Sequence, residues 1–273
     1  MLIEVQPLNE LNMGVYLACG CHPLDERFDH GCRDRMKCKR DWVETMVPRG
    51  LGARIAFLEE YPAGFAEFLP IEVAPAPIVG KGLLYITEIH VNREDKAGSI
   101  DLSGLGIGKL LIRAVEQYAR EQGFKGLATI ALGADPLPGS FYEHMEFTCI
   151  EQKDSLHLLW LPFKECEKPA LWSGNFEPAT RHDGVHIDVV HTSQCPGEKT
   201  LGMWHSLVDE YGEEVTITEH LADDRSIMDI DCVPGSMGVF VNGNRVPRDP
   251  PSRLHARQVI EDALRRIPSV DLS

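Results

Sequence analysis

Two hydrophobic periods alternate along this chain, and the switches between them outline its elements. Residues 82–92 make a long strand-like run centred on Leu84-Tyr85-Ile86-Thr87-Glu88-Ile89-His90-Val91. From 107 to 122 the period lengthens. Ile107, Leu110, Leu111, Ala114, Val115 and Tyr118 form the apolar stripe of an amphipathic helix. Gly123 is its stop signal. Residues 126–132 read as a buried strand and 156–161 as a closing one. A first strand opens the chain ahead of 53–59. The composition then shifts at 168–182, where Pro169, Gly174 and Pro178 mark a linker. Beyond it the pattern restarts with a strand at 185–191, a turn at 192–197 and a helix at 198–212. A strand at 214–220, a short helix at 225–230 and a strand at 239–241 follow. Asn242-Gly243 is a hairpin signal, with Arg245-Val246 returning and a final helix at 253–266. Strands mixed with helices in this order place the chain in the α/β class, with domains at 1–168 and 183–273 joined by 169–182.

Composition narrows the classes. At 273 residues and 43% apolar, the chain is long enough for two cores. No apolar run reaches the ~18 residues of a membrane helix. The start, Met1-Leu2-Ile3-Glu4, lacks the basic-then-apolar pattern of a secretory signal, so a cytoplasmic location is expected. A net charge of −15 argues against nucleic-acid or anionic-membrane partners and suits cationic acceptors. Eight cysteines in this setting read as reduced thiols, metal ligands or redox groups.

The densest chemistry lies in Ser103-Gly104-Leu105-Gly106-Ile107-Gly108-Lys109, directly before the amphipathic helix. Glycines free the backbone to aim N–H groups at one point, and the helix start adds partial positive charge there. That is a cradle for a phosphate or pyrophosphate. Leu110 after Lys109 removes the hydroxyl of a Walker A loop, and the two-and-two glycine spacing does not fit the dinucleotide fingerprint. A phosphate loop of another kind and a plain glycine linker remain. Lys109, Arg113 and Arg93 are the nearby cations.

The order strand, glycine loop, helix, strand, Ser140-Phe141-Tyr142-Glu143-His144-Met145-Glu146-Phe147, strand resembles the GNAT acetyltransferases over roughly residues 1–168. Ser103-x-x-Gly106-x-Gly108 departs from that family at its first position, and Glu146 stands where glycine is usual. The resemblance implies a mixed central sheet flanked by helices and an acetyl-CoA-dependent N-acetyltransferase acting on the amine of a small molecule or on an amino group. It implies that Gly104, Leu105, Gly106, Ile107, Gly108 and Lys109 hold the pyrophosphate, while backbone N–H of His90 or Val91 polarises the thioester carbonyl. Tyr142 resembles the acid that protonates the departing thiolate, or packs beside Phe141 and Phe147. Glu88 is the candidate base, or an exposed strand residue. His90 shares its face and is a second candidate. The acceptor-selecting segments are placed in 19–38 and in a loop at 61–80.

The second segment resembles a thioredoxin-like βαβαββα domain, and the whole layout resembles the YoaP-like acetyltransferases. Cys195-Pro196 lies at the strand-to-helix turn, and Val233-Pro234 at the family's cis-proline position. Cys195-Pro196-Gly197-Glu198 holds no second cysteine, so Cys195 is a candidate reactive thiol or a relic, with Cys232, just before Val233-Pro234, as the residue that could approach it. Near the start, Cys19, Cys21, Cys32 and Cys38, with His22 and His30, are candidate metal ligands or thiols lining the acceptor pocket. Cysteine-based metal or thiol sensing on a GNAT scaffold is the alternative function. Neither the acceptor nor the oligomeric state is legible.

Overall fold

The computed structural model describes residues 2–18, 30–92, 101–132, 139–153, 156–172, 176–194, 198–223, 238–246 and 252–267. The chain folds as two compact units, Met1–Trp172 and Ser173–Ser273. In the first, β1 (Ile3–Pro7), α1 (Met13–Leu17) and α2 (His30–Met46) are followed by β2 (Gly52–Leu58), β3 (Tyr61–Pro70), β4 (Ile78–Val79) and β5 (Leu84–Val91). Then come α3 (Ile107–Glu121), β6 (Gly126–Leu132), α4 (Gly139–His144), β7 (Thr148–Lys153), β8 (Leu156–Pro162) and β9 (Ala170–Leu171). Seven strands form one sheet in the order β1-β2-β3-β5-β6-β8-β7. All neighbours are antiparallel except β5 and β6. A parallel pair needs a crossover, and α3 supplies it. β4 and β9 form a separate small pair.

α3 closes one face of the sheet. Its Ile107, Leu111, Ile112, Val115 and Ala119 are buried in a core with Ala66, Phe68, Leu84, Ile86 and Leu127. The stripe is rotated from the sequence expectation: Leu110 is 39% exposed, and Ile112 and Ala119 take inner positions. The segment expected as a loop at 61–80 is corrected more strongly, because its first ten residues are strand β3. Eight of these ten residues are buried, so no two-residue alternation shows in the sequence. Gly64 lets this strand pass close to β5, since a Cβ there would stand 2.4 Å from the His90 carbonyl oxygen.

Two irregularities in β5 shape the middle of the sheet. Glu67 of β3 faces Glu88, but the next residue, Phe68, faces Ile86. Thr87 is therefore the extra residue of a β-bulge. Ile86 packs toward α3, as do Ile89 and Val91. Glu88 and His90 thus point to the opposite face, with Phe65 and Glu67. The second irregularity is a split. β5 pairs with β6 only at Leu84–Leu127 and Tyr85–Ala128. The Thr129 hydroxyl donates to the Ile86 carbonyl at 3.0 Å and marks the point of separation.

The second unit contains β10 (Val185–His191), α5 (Glu198–Tyr211), β11 (Val215–Leu221), β12 (Gly238–Val241), β13 (Asn244–Arg245) and α6 (Arg253–Arg265). The sheet order is β11-β10-β12-β13, with β10 and β11 parallel and the other pairs antiparallel. Val185, Ile187 and Val189 bury one face against Trp204 and Leu207 of α5 and Ala256 and Ile260 of α6. Asn242 and Gly243 turn the hairpin, both at positive φ. The Asn242 carboxamide also accepts from the His186 amide at 2.7 Å. The expected helix at 225–230, Cys195, Cys232 and the Val233-Pro234 bond lie outside the described residues. Trp204 is fully buried. Trp204→Ala should destabilise this unit by ~3–5 kcal/mol in urea unfolding, and a loss under ~1 kcal/mol would contradict this packing.

Candidate active site

The glycine cradle forms at the start of α3. Gly104 and Gly106 have φ of 73° and 75°, a left-handed conformation that side chains disfavour. Among the described residues, a Cβ built on either would meet nothing within 4 Å, which leaves the space above the helix start open to them. Asp101 fixes the approach by accepting the Ser103 amide at 2.8 Å. Gly108 is used differently. A Cβ there would lie 3.1 Å from the Phe141 ring and 3.8 Å from the Val91 side chain. Glycine thus lets three parts of the chain meet: the end of β5, the first turn of α3 and the aromatic stretch of α4. Of the nearby cations, Arg113 is bound to Glu116 at 2.7 Å and lies 4.0 Å from Glu146. Lys109 is exposed, and Arg93 lies outside the described residues.

Tyr142 is buried with its ring against Phe141 at 5.2 Å and Phe147 at 5.6 Å. It lies close enough to Tyr85 to act on that phenol, whose pKa is raised by burial first and by Tyr142 second. Glu146 ends α4 at φ 69°, the left-handed position that explains why glycine is usual there. The amide of Phe147 returns to the Tyr142 carbonyl at 3.0 Å and closes this turn.

On the face opposite α3 lies a polar cluster that the sequence did not reveal. Glu67 is fully buried on β3. One carboxyl oxygen accepts from the Tyr16 hydroxyl of α1, the other from the Thr87 hydroxyl at 2.5 Å. Lys39 of α2, 1% exposed, places its ammonium 4.5 Å from the Tyr16 ring centroid and 4.4 Å from that of Phe65. The same ammonium is 3.7 Å from Glu88 Oε2. That oxygen is buried and makes no hydrogen bond among the described residues. His90 stacks on Phe65 at 5.7 Å, and its Nε2 lies 3.0 Å from Asn92 Oδ1. Glu88 and His90 therefore share one face beside a buried cation. One signal pointed here: Glu67 is the single charge in the apolar run 61–70.

Burial is the main cause that raises the Glu67 pKa above its ordinary 4.5, and Lys39 opposes it. A carboxyl with a raised folded-state pKa contributes stability that is full below the unfolded value. This contribution is lost as pH climbs through the folded value. Parent stability relative to Glu67→Gln should therefore fall as pH rises above ~4.5. Thermal unfolding of both proteins across pH would read this, and a constant difference would refute it.

The cysteine cluster is not assembled by the described residues. Cys19, Cys21 and His22 lie outside them. Cys32 and Cys38 both belong to α2, and the side chain of Cys32 also lies outside the described part of the chain. Among the described residues, no group of three or more His, Cys, Asp or Glu side chains is placed to hold a metal ion. Nor is any described helix long and apolar enough to cross a membrane.

Residues 15–147 match the profile of the Acetyltransferase (GNAT) family. A search of curated proteins found no match. Among solved structures, the chain is similar to PaiA N-acetyltransferase of Thermoplasma acidophilum in complex with coenzyme A. The identity is 13%, over 60% of this chain and 100% of that one, with a TM-score of 0.42. A GNAT-family acetyltransferase of Staphylococcus aureus is 14% identical, over 60% and 100% of the two chains, with a TM-score of 0.42. A GNAT-family acetyltransferase of Brucella melitensis in complex with acetyl-CoA is 15% identical, over 61% and 92%, with a TM-score of 0.38.

Proposed function

Starting from a first unit that carries a GNAT acetyltransferase domain, we propose that this chain transfers the acetyl group of acetyl-CoA to the amine of a small molecule. One observation carries the reading: left-handed Gly104 and Gly106 lead into the first turn of α3, whose Gly108 lies against Val91, where β5 has already left β6. Phosphate oxygens would accept from the N–H groups of residues 104–109, and the open space above Gly104 and Gly106 fits them. The backbone of β5 past the split, at His90 and Val91, offers N–H to the thioester carbonyl. Glu88 takes the proton of the attacking amine, and the Tyr142 phenol returns one to the leaving thiolate. Lys39 holds the Glu88 carboxylate against the acceptor face.

The strand order β11-β10-β12-β13, with one parallel pair and both described helices on one face, supports a thioredoxin-like reading of the second unit. We assign the domains as 1–168 and 183–273 about a linker at 169–182, in a cytoplasmic protein. A thiol-release assay with acetyl-CoA across an amine panel tests the function. Turnover with at least one amine, with coenzyme A binding by calorimetry, is the expected result. Absence of both would reject it.

A further inference from the structure

The fully buried carboxyl of Glu67 has no place in the chemistry above, although Glu67 pairs directly with Glu88 across the sheet. Burying a carboxyl among apolar side chains is unfavourable, and an aliphatic residue would fill the position with less desolvation. What distinguishes Glu67 is where its hydrogen bonds lead. Oε1 binds the hydroxyl of Thr87, the extra residue of the bulge, and Oε2 binds Tyr16 on α1. The bulge decides the phase of β5. Without it, Glu88 and His90 would fall on the same face as Ile86, inside the α3 core, by the two-residue period of a strand. With it, they face Lys39 and Phe65.

We propose that Glu67 is a positioning residue whose hydrogen bond to Thr87 pins the β5 bulge and so holds Glu88 and His90 on the acceptor face. This rests on the acetyltransferase reading for its kinetic consequence, and on the geometry alone for its structural one. The Glu67 carboxyl neither touches the acceptor nor exchanges its proton during turnover. Tyr16 ties α1 to the same carboxyl, so the helix and the bulge are held in one register.

The test uses three variants of the full chain. Thr87→Val removes the hydroxyl at nearly constant shape. Thr87→Ser restores the hydroxyl, and Glu67→Gln keeps an acceptor oxygen without the charge. A misplacement of reacting groups by ~1 Å can lower a rate ~100-fold, so Thr87→Val should lose ~10-fold or more in kcat while coenzyme A affinity stays within ~2-fold. Thr87→Ser and Glu67→Gln should each keep kcat within ~3-fold of the parent. Hydrogen exchange reads the pin without any turnover. Amides of residues 86–91 should exchange ~10-fold faster in Thr87→Val, and those of α3 should be unchanged. Unchanged exchange at 86–91 would overturn the proposal even if the parent proves inactive. An unchanged kcat in Thr87→Val overturns it as well, as does failure of Thr87→Ser to rescue. Loss of activity in Glu67→Gln would assign Glu67 to the chemistry instead. Absence of both cofactor binding and turnover in the parent sinks the acetyltransferase reading and leaves the exchange result to stand by itself.

Discussion

Gly106→Val should weaken coenzyme A binding by ~100-fold or more, equivalent to ~2.8 kcal/mol, in a protein that still folds. Two effects combine. At φ 75° a Cβ strains the backbone by ~1–2 kcal/mol, with more expected for a β-branched side chain. Among the described residues, nothing lies within 4 Å of a Cβ at Gly106, so the added side chain is not stopped by them. It projects into the volume that the phosphate oxygens require and crowds the N–H groups of the first turn. Gly123 supplies the control. It lies just past the other end of the same helix at φ 81°, and a Cβ there also meets nothing within 4 Å among the described residues. Gly123→Val should carry a similar backbone penalty in thermal unfolding, with cofactor affinity unchanged within ~2-fold. Calorimetric titration of both variants separates strain from site. Equal loss of affinity in the two would mean that the cradle at Gly106 does not bind the cofactor.

Glu88→Gln should lower kcat by ~100-fold or more, because a positioned general base contributes ~10²–10⁴-fold. Gln keeps the shape and the hydrogen-bonding oxygen but does not accept the amine proton. Coenzyme A affinity should not change, since the cradle lies on the backbone of another element. Removing the Glu88 charge also takes one carboxylate away from the buried Lys39 ammonium. A moderate fall in melting temperature is therefore expected alongside the kinetic loss. Thiol release at saturating acetyl-CoA, with circular dichroism to confirm folding, gives the answer. A kcat within ~3-fold of the parent would remove Glu88 from the chemistry and transfer the role to His90, whose Gln variant would then be the impaired one.

The two halves of the site differed in how legible they were. The proposed cofactor half was visible because its requirements are local. Left-handed backbone selects glycine at 104 and 106, and close approach of Phe141 selects it at 108. The apolar period of α3 follows at once. The acceptor half was mostly hidden. Tyr16, Lys39, Phe65, Glu67 and Thr87 are dispersed between positions 16 and 87 of the sequence, and only β-pairing and helix packing bring them together. β3 went unread because burial on both faces erases the alternation that marks a strand.

By itself the sequence determined the order of β5, α3, β6, α4 and β8, the start and stop of α3, the glycine loop before it and the placing of Glu88 and His90 on a common face. Each of these depends on residues within about one turn or a few strand positions of each other, where propensity and period operate. The tertiary structure decided which face that was. A single extra residue at Thr87 reverses the phase of β5, and it is held by a carboxyl twenty residues earlier in the chain. A bulge has no period of its own, so its position is set by the hydrogen-bonding partner across the sheet.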